Sequence, residues 1–241
     1  MENSFLRAYI SVDCVVFGFD KSQLNVLLVQ RNTPAATGKS LKLPGSLIYQ
    51  QEDADAGAHR VLNELTGIKK MALRQFKSFT SPKRTSNKDD VAWLETTYLN
   101  KIDRLITIAY LSLCKINRKL NVVSKYTTVE WCPVSELPQM PFDHNQIVEE
   151  ALNEIRSWVE NDPVILFELL PSKFTATDLR LLYEAIYDRK YDAGNFHKKI
   201  AQIPYIVPLD EHQENVNHRA ARFYKFDRKG CTIHGARSKG T

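Results

Sequence analysis

The first thirty residues alternate apolar runs with a polar turn. Residues 10–20 and 24–30 are rich in β-branched and large apolar side chains, and Asp20-Lys21-Ser22 stands between them. Short apolar runs that are bounded by turn residues are typical of buried strands. The pattern therefore predicts a β-hairpin at the start of the chain.

The next apolar pattern is helical. A turn at residues 43–46 precedes residues 55–65, whose apolar side chains recur at spacings of three and four and so share one helical face. Gly67 follows directly, at a position where helices commonly end. The predicted apolar face consists of Ala58, Val61, Leu62 and Leu65.

Further segments complete a first domain. Residues 105–113 are strongly apolar and predict a strand, residues 128–132 predict a shorter one, and the polar residues 78–90 predict a surface loop. Strands around one central helix make a mixed α+β domain, which we place at residues 1–141. We interpret residues 142–162 as a linker helix, because apolar side chains recur at helical spacing there.

The remaining residues, 163–241, predict two helices and a strand pair. Thr175 and Asp178 stand at the spacing of a helix cap before the first helix, and Asp192 can cap the second. Two short strands, residues 206–207 and 223–226, flank a polar loop. Helix, turn, helix and hairpin in this order predict a small winged helix-turn-helix domain.

The net charge lies at one end of the chain. The segment from residue 171 to residue 241 contains thirteen Lys and Arg against eight Asp and Glu, so it carries the whole formal net charge of +5. A basic module on a neutral partner domain is typical of proteins that bind a polyanion. The alternative is a solvated basic tail.

Composition excludes several other classes of protein. The start of the chain lacks the basic residues and long apolar run of a signal peptide, and no later run reaches membrane-spanning length, so we expect a cytoplasmic protein without membrane contact. The cysteines are far apart and have no CxxC pair, which favours reduced packing residues over zinc ligands. They are Cys14, Cys114, Cys132 and Cys231.

Residues 45–68, GSLIYQQEDADAGAHRVLNELTGI, resemble the Nudix box of nucleoside-diphosphate hydrolases. Glu52, Arg60 and Glu64 match positions of that pattern. The glutamate that should follow the arginine is Val61, and the second residue of the Glu-Glu pair is Leu65. Six residues rather than five separate the glycine from the first glutamate.

These losses remove most of a metal site. A divalent cation needs several oxygen ligands that converge from one side, and the box helix retains one of its three carboxylates. We therefore predict a Nudix-like mixed α/β sandwich with no catalytic residues, no metal and no cofactor. The rival hypothesis is an active hydrolase whose ligands come from outside the box, for instance Asp89, Asp90 or Glu95.

A pocket without catalysts can still bind a small molecule. The predicted effector contacts lie on either side of the Leu-Pro-Gly turn and on the box helix. For Arg60 and Glu64, on the box helix, an internal ion pair is an equally good interpretation. The predicted contacts are Arg31, Lys42, Leu43, Gly45, Ser46, Arg60 and Glu64.

The second helix of the C-terminal domain has a face that suits a major groove. Phe196 and Ile200 point one way, whereas polar and basic side chains point largely away. Lysine can contact phosphate or guanine, and asparagine can pair with adenine. A third hypothesis is a non-enzymatic RNA-binding protein, which would need exposed aromatic side chains that stack on bases. Phe223 and Phe226 alternate with Tyr224 in a predicted strand of which one face must be core.

The order of a Nudix-like domain, FELLPSKFTATDLRLLYEAIYDRKYDAGNFHKKI and AARFYKF resembles the Nudix-related transcriptional regulators, the NrtR family. This resemblance implies a homodimer that holds double-stranded operator DNA and responds to a small molecule. Branches of the family answer to ADP-ribose or to sugars. We prefer a sugar, because a diphosphate favours metal or clustered arginines. The implied DNA contacts are Asn195, His197, Lys198, Lys199, Arg219 and Arg222.

Overall fold

The computed structural model describes residues 6–20, 23–31, 40–116, 128–214 and 220–227, which form two compact units. The first unit contains most of the chain as far as Glu154, and the second contains the chain from Ile155 onward. The predicted boundaries at residues 141 and 162 stay predictions. Within the ranges that the structure describes, no helix is long and apolar enough to cross a membrane.

The described part of the first unit contains a seven-stranded sheet. The path β3-β2-β1-β6-β5 runs through it, and β4 pairs with β1 and β7 with β2. The strands are β1 (Tyr9–Asp20), β2 (Gln23–Gln30), β3 (Leu41–Lys42), β4 (Gly45–Leu47), β5 (Arg74–Phe79), β6 (Leu105–Lys115) and β7 (Val129–Pro133). The strands predicted from apolar runs are confirmed, and β1 and β2 are neighbours, as in the predicted hairpin. Its turn residues, Lys21 and Ser22, lie outside the described residues.

Strand β1 is the centre of the core. Residues 11–19 are buried without interruption, because both faces of the strand are covered. The apolar faces of two helices also contribute buried residues: α1 (Ala54–Thr66) buries Val61 and Leu62, and the start of α3 (His144–Asn161) buries Ile147 and Val148. A strand that is buried on both faces needs the continuous apolar run seen in the sequence.

Local signals fix the ends of α1. The Asp53 side chain accepts a hydrogen bond from the Ala56 amide at 2.8 Å, which caps the first turn. Gly67 adopts φ 75° and its amide donates to the Asn63 carbonyl at 2.7 Å. A residue with a Cβ is rarely stable at this φ, so the predicted helix end is confirmed for the predicted reason.

The loop predicted at residues 78–90 is wrong. Strand β5 reaches Phe79, a 3-10 turn covers Pro82–Thr85, and a helix α2 (Lys88–Tyr98) begins after its cap residue Asn87. The side chain of Asn87 accepts hydrogen bonds from the amides of Asp89 and Asp90. Helix α2 is largely exposed, so apolar residues do not recur along it at helical spacing, and its polar first turn looks like a loop in the sequence.

The described part of the second unit combines helices with a small three-stranded sheet. Helix α4 (Ala176–Tyr187) and helix α5 (Ala193–Ala201) precede the strand pair β9 (Ile206–His212) and β10 (Arg222–Phe226). An additional strand β8 (Lys173–Thr175) pairs with β10, giving the order β8-β10-β9. The predicted helices and strand pair are confirmed. Phe174 lies in β8 rather than in the first helix, whose capping box of Thr175 and Asp178 is present.

Glu184 joins α4 to the turn that leads into α5. Its side chain is buried and accepts hydrogen bonds from Arg180 at 2.5 Å, Lys190 at 3.2 Å and the Tyr191 amide at 3.0 Å. The Tyr191 amide and the two cations favour the carboxylate and hold the pKa of Glu184 below its ordinary value. One buried carboxylate thereby connects α4 to the turn that precedes α5.

The variant Glu184→Gln should lower the free energy of unfolding at pH 7 by about 1 to 3 kcal/mol, because neutral glutamine is a weaker acceptor for three donors. A depressed folded-state pKa stabilises the fold above the unfolded value of about 4.5 and stops doing so as the pH falls through the folded value. The difference between the two proteins should therefore shrink below pH 4.5, as measured by urea unfolding at several pH values.

The matched control is Glu211→Gln, which removes an exposed ion pair with Lys173. Exposed pairs contribute about 0 to 1 kcal/mol, so this variant should unfold almost like the original protein. Equal losses in the two variants would contradict the role assigned to Glu184.

Candidate functional site

The predicted turn at residues 43–46 borders a cavity in the first unit. Lys42, Gly45 and Ser46 line it from one side. The Ser46 hydroxyl lies 2.8 Å from the Tyr98 hydroxyl, and the Lys42 ammonium donates to the Gly45 carbonyl at 2.8 Å. Helix α2 and the segment before α3 provide the opposite wall, which includes Trp93, Leu94, Tyr98, Phe142 and His144.

The floor of this cavity holds a charged cluster that the sequence analysis did not identify. Asp13, in the middle of β1, is only 5% exposed. Its carboxylate lies 3.8 Å from the Arg84 guanidinium and 3.7 Å from His144 Nε2. Burial raises the pKa of Asp13, and the positive charges of Arg84 and Lys42 oppose that rise. An acidic residue within a buried apolar strand was the sequence signal for this cluster.

The bases around Asp13 are affected by the same burial. Burial lowers the pKa of Lys42 to about 8, and it lowers the pKa of His144 to about 3, where Lys42 and Arg84 add repulsion. His144 is therefore a neutral imidazole whose Nδ1 accepts a hydrogen bond from the Leu43 amide at 3.1 Å. This bond fixes the turn to the start of α3.

The box residues form an internal ion pair. The Arg60 guanidinium donates to Glu52 at 2.5 and 2.9 Å, to Glu64 at 3.0 Å and to the Leu47 carbonyl at 2.9 Å. Its carbon Cζ also lies 3.9 Å from the centre of the Tyr49 ring. These bonds lower the pKa of Glu52 and raise that of Arg60. The internal ion pair, which was the alternative interpretation of Arg60 and Glu64, is present. Effector binding by these two residues stays a prediction.

Arg31 is also engaged within the protein. Its guanidinium donates to Asp90 at 2.6 Å, both side chains are 8% exposed, and its Cζ lies 4.4 Å from the centre of the Trp93 ring. The second carboxylate oxygen of Asp90 accepts from the Phe142 amide at 2.9 Å. Arg31 thus joins the end of β2 to α2.

The ligands of the rival hydrolase hypothesis are not assembled. Asp90 bonds to Arg31 and Phe142, Glu95 accepts a bond from the Ile102 amide at 3.0 Å, and Asp89 is exposed. Across the described ranges, no three His, Cys, Asp or Glu side chains form a group that could hold a metal ion. Val61, where the box pattern has a glutamate, is fully buried in the core.

Helix α5 presents the residues predicted to contact DNA. Phe196 and Ile200 are buried against the unit, whereas Asn195, His197 and Lys198 are exposed. Lys199 is exposed too, and its ammonium lies 5.3 Å from the centre of the Tyr183 ring. The cap residue Asp192 accepts from the Asn195 amide at 2.8 Å. The predicted separation of an apolar and a polar face is confirmed.

Arg222, at the start of β10, is bonded to residues of the neighbouring strand β9. The Arg222 guanidinium donates to the Leu209 carbonyl at 2.7 Å and to Asp210 at 2.9 Å. Arg219 lies outside the described residues. Phe226 stacks on Phe167 with ring centres 3.9 Å apart, so it packs inside the unit and is not presented as a platform for bases.

Cys14, Cys114 and Cys132 form no disulfide within the described residues. Cys14 is buried, and Cys114 and Cys132 are half-buried. Burial raises the pKa of Cys114 to about 12. They pack as predicted, and Cys231 lies outside the described residues.

Replacing Gly45 by alanine should destabilise the first unit, because an added Cβ would lie 1.7 Å from the Asp13 carboxylate. Forcing an extra methyl into a packed site costs about 1 to 3 kcal/mol, which thermal and urea unfolding would detect. The control Gly194→Ala, on exposed α5, adds a Cβ 3.4 Å from Asp192 and should leave stability unchanged or slightly raised. A loss confined to Gly194→Ala would refute this account of the turn.

Comparison with known proteins identifies both units. Residues 8–152 match the NUDIX domain family, and residues 166–226 match the NrtR DNA-binding winged helix domain. The ADPR responsive transcriptional repressor NtrR of Acinetobacter baylyi is 25% identical over 239 residues, which cover 93% of this chain and 88% of that protein.

Two solved structures share the fold. Shewanella oneidensis NrtR, complexed with a 27mer DNA, is 21% identical with a TM-score of 0.65 and covers 92% of this chain and 95% of its own. A MutT/nudix family protein from Enterococcus faecalis is 21% identical with a TM-score of 0.65, and the match covers 94% of this chain and 89% of that protein. With the NUDIX domain first and the NrtR winged helix domain second, this chain belongs to the NrtR family.

Proposed function

We propose that this protein is a ligand-responsive transcriptional regulator of the cytoplasm, which binds operator DNA as a homodimer and senses a small molecule with its NUDIX domain. The observation that carries the proposal is the exposed polar face of α5 within a domain that matches a DNA-binding family. The Acinetobacter relative, which is named as a transcriptional repressor, supports the same function over nearly the whole chain.

The DNA contacts follow from the chemistry of that face. Lys198 and Lys199 provide positive charge for phosphates, and Asn195 can form two hydrogen bonds with an adenine edge. Arg222 would join them once phosphate replaces Asp210 as its partner. Arg219 is a predicted contact that lies outside the described residues. His197 lies on the same exposed face.

The proposed effector carries sugar hydroxyl groups. The predicted contacts Lys42, Gly45 and Ser46 line the first cavity, but its volume of about 30 Å³ admits about one or two water molecules and not a sugar ring, so they border the effector site rather than enclose it. The name of the Acinetobacter relative supports ADP-ribose, which also ends in a sugar. A free pentose and ADP-ribose are therefore the two sources to test.

We also propose that the NUDIX domain does not hydrolyse its ligand. The support is that Val61 and Leu65 replace box carboxylates, while Glu52 and Glu64 are held by Arg60. A carboxylate that is committed to a guanidinium is a poor metal ligand, because binding the metal would first require that ion pair to break.

Substitutions on α5 should separate phosphate contact from base recognition. Lys198→Ala should weaken binding to every duplex and reduce the slope of log affinity against log salt by about one unit. Asn195→Ala should cost about 1 to 3 kcal/mol with its preferred duplex and relax the preference at one base. Fluorescence anisotropy with a duplex selected from a random pool measures both effects.

The matched control is Lys69→Ala, an exposed lysine of the NUDIX domain. It should change neither affinity nor salt slope. If Lys198→Ala and Lys69→Ala behave alike, α5 is not the DNA-contacting helix.

The absence of turnover has its own test. ADP-ribose with magnesium should release no AMP when incubated with the protein, whereas an active ADP-ribose hydrolase in the same assay should release it. A pentose or ADP-ribose that binds should raise Tm without added metal, because a ligand that binds only the folded state stabilises it. AMP release in proportion to protein concentration would restore the enzyme hypothesis.

A further inference from the structure

A second cavity lies on the other side of Arg84 from the Asp13 cluster. It has a volume of about 470 Å³ and lies between the 3-10 turn Pro82–Thr85, the start of α2 and residues 139–146. This volume falls within the range of about 300 to 1,000 Å³ that is typical of small-molecule sites. We call it the Asp143 cleft, and among the sequence-predicted effector residues only Arg31 lines it.

One wall of the Asp143 cleft carries a buried acceptor. Asp143 Oδ2 accepts from the Arg84 guanidinium at 2.7 Å, but its Oδ1 atom is buried without a hydrogen-bond partner in the described part of the chain. Buried polar atoms are nearly always hydrogen-bonded, and a missing partner is unfavourable. A ligand hydroxyl in the cleft would supply the donor that Oδ1 lacks.

The charges of the cleft cancel in pairs. Arg31 pairs with Asp90, and Arg84 pairs with Asp143, so these four groups carry no net charge together. Lys83 is exposed at the edge and adds one positive charge. Such a wall suits a neutral group that donates hydrogen bonds better than a diphosphate, although Lys83 leaves room for an anion at the rim.

An aromatic side chain and several polar ones complete the site. Phe142 adopts φ 56°, which is uncommon for an aromatic residue, and its amide is held by Asp90. Phe142 lines the cleft, and its side chain packs against the core cluster of Leu94, Ile102 and Leu105. Hydroxyl and amide groups come from Ser40, Ser81, Ser86, Asn87, Gln139 and Gln146.

We propose that the Asp143 cleft is where the effector binds, and that Asp143 Oδ1 accepts a hydrogen bond from a hydroxyl of its sugar ring. This inference rests on the proposed sensing function and assigns it a place and a chemistry. The sugar is either a free pentose or the terminal ribose of ADP-ribose, since both present vicinal ring hydroxyls.

The experiment is titration calorimetry of the full chain, without metal, against D-ribose, D-xylose, L-arabinose and ADP-ribose. At least one should bind, and Asp143→Asn should raise its Kd by about tenfold or more, because a bond to a charged acceptor is lost. The control is Asp103→Asn, the same change at an exposed carboxylate paired with Lys101. Its Kd should stay within about twofold of the original.

A second variant guards against misfolding of Asp143→Asn. Gln146 is exposed at the edge of the cleft, so Gln146→Trp should fill the cleft, leave the fold intact and abolish binding. Gln75→Trp makes the same change at an exposed glutamine elsewhere and should bind normally. Normal binding by Gln146→Trp, or no binding of any of the four compounds to the original protein, overturns the proposal.

DNA affinity measured on the same samples distinguishes a wrong effector site from a wrong function. If a compound changes DNA affinity equally in the original protein and in both cleft variants, the effector binds outside the Asp143 cleft, and the protein is still a ligand-responsive regulator. If the original protein binds no DNA, the proposed function as a DNA-binding regulator is wrong. Binding of a pentose identifies a free sugar as the source, and binding of ADP-ribose alone identifies the nucleotide.

Discussion

The first unit is organised around a carboxylate that has been removed from water. Asp13 lies within a strand that is buried on both faces, where an isolated charge would be strongly unfavourable. Arg84, Lys42 and His144 come from three different elements and all face it. The elements that carry Arg84 and Lys42 therefore meet this carboxylate with opposite charge, which apolar packing alone would not require.

Close packing around Asp13 constrains its neighbours in turn. The turn approaches the carboxylate so closely that only Gly45 leaves it room, and neutral His144 fixes the same turn by accepting the Leu43 amide. Arg84 faces Asp13 on one side and Asp143 on the other, so it separates the two cavities. A ligand that bonds to Asp143 would therefore bind next to a guanidinium that also faces Asp13 in the core of the sheet.

The sequence predicted the features that depend on near neighbours in the chain. The face of α1, the end at Gly67, the cap at Thr175 and the two faces of α5 follow from periodicity and capping within a few residues. Helix α2 was missed because exposure leaves it without an apolar period. Asp13, Arg84 and His144 are far apart in the sequence, so no local pattern could indicate that they meet.

The box segment, residues 45–68, is held in shape by bonds among its own side chains. Arg60 now bonds to Glu52, Glu64 and the Leu47 carbonyl, and these contacts connect the loop before α1 to the helix itself. Val61, which replaces a carboxylate, is buried among apolar residues and adds to the core. Because the Arg60 guanidinium bonds to both Glu52 and the Leu47 carbonyl, the position of the loop before α1 depends on the same side chain that lies on the box helix, and a change at Arg60 would release both.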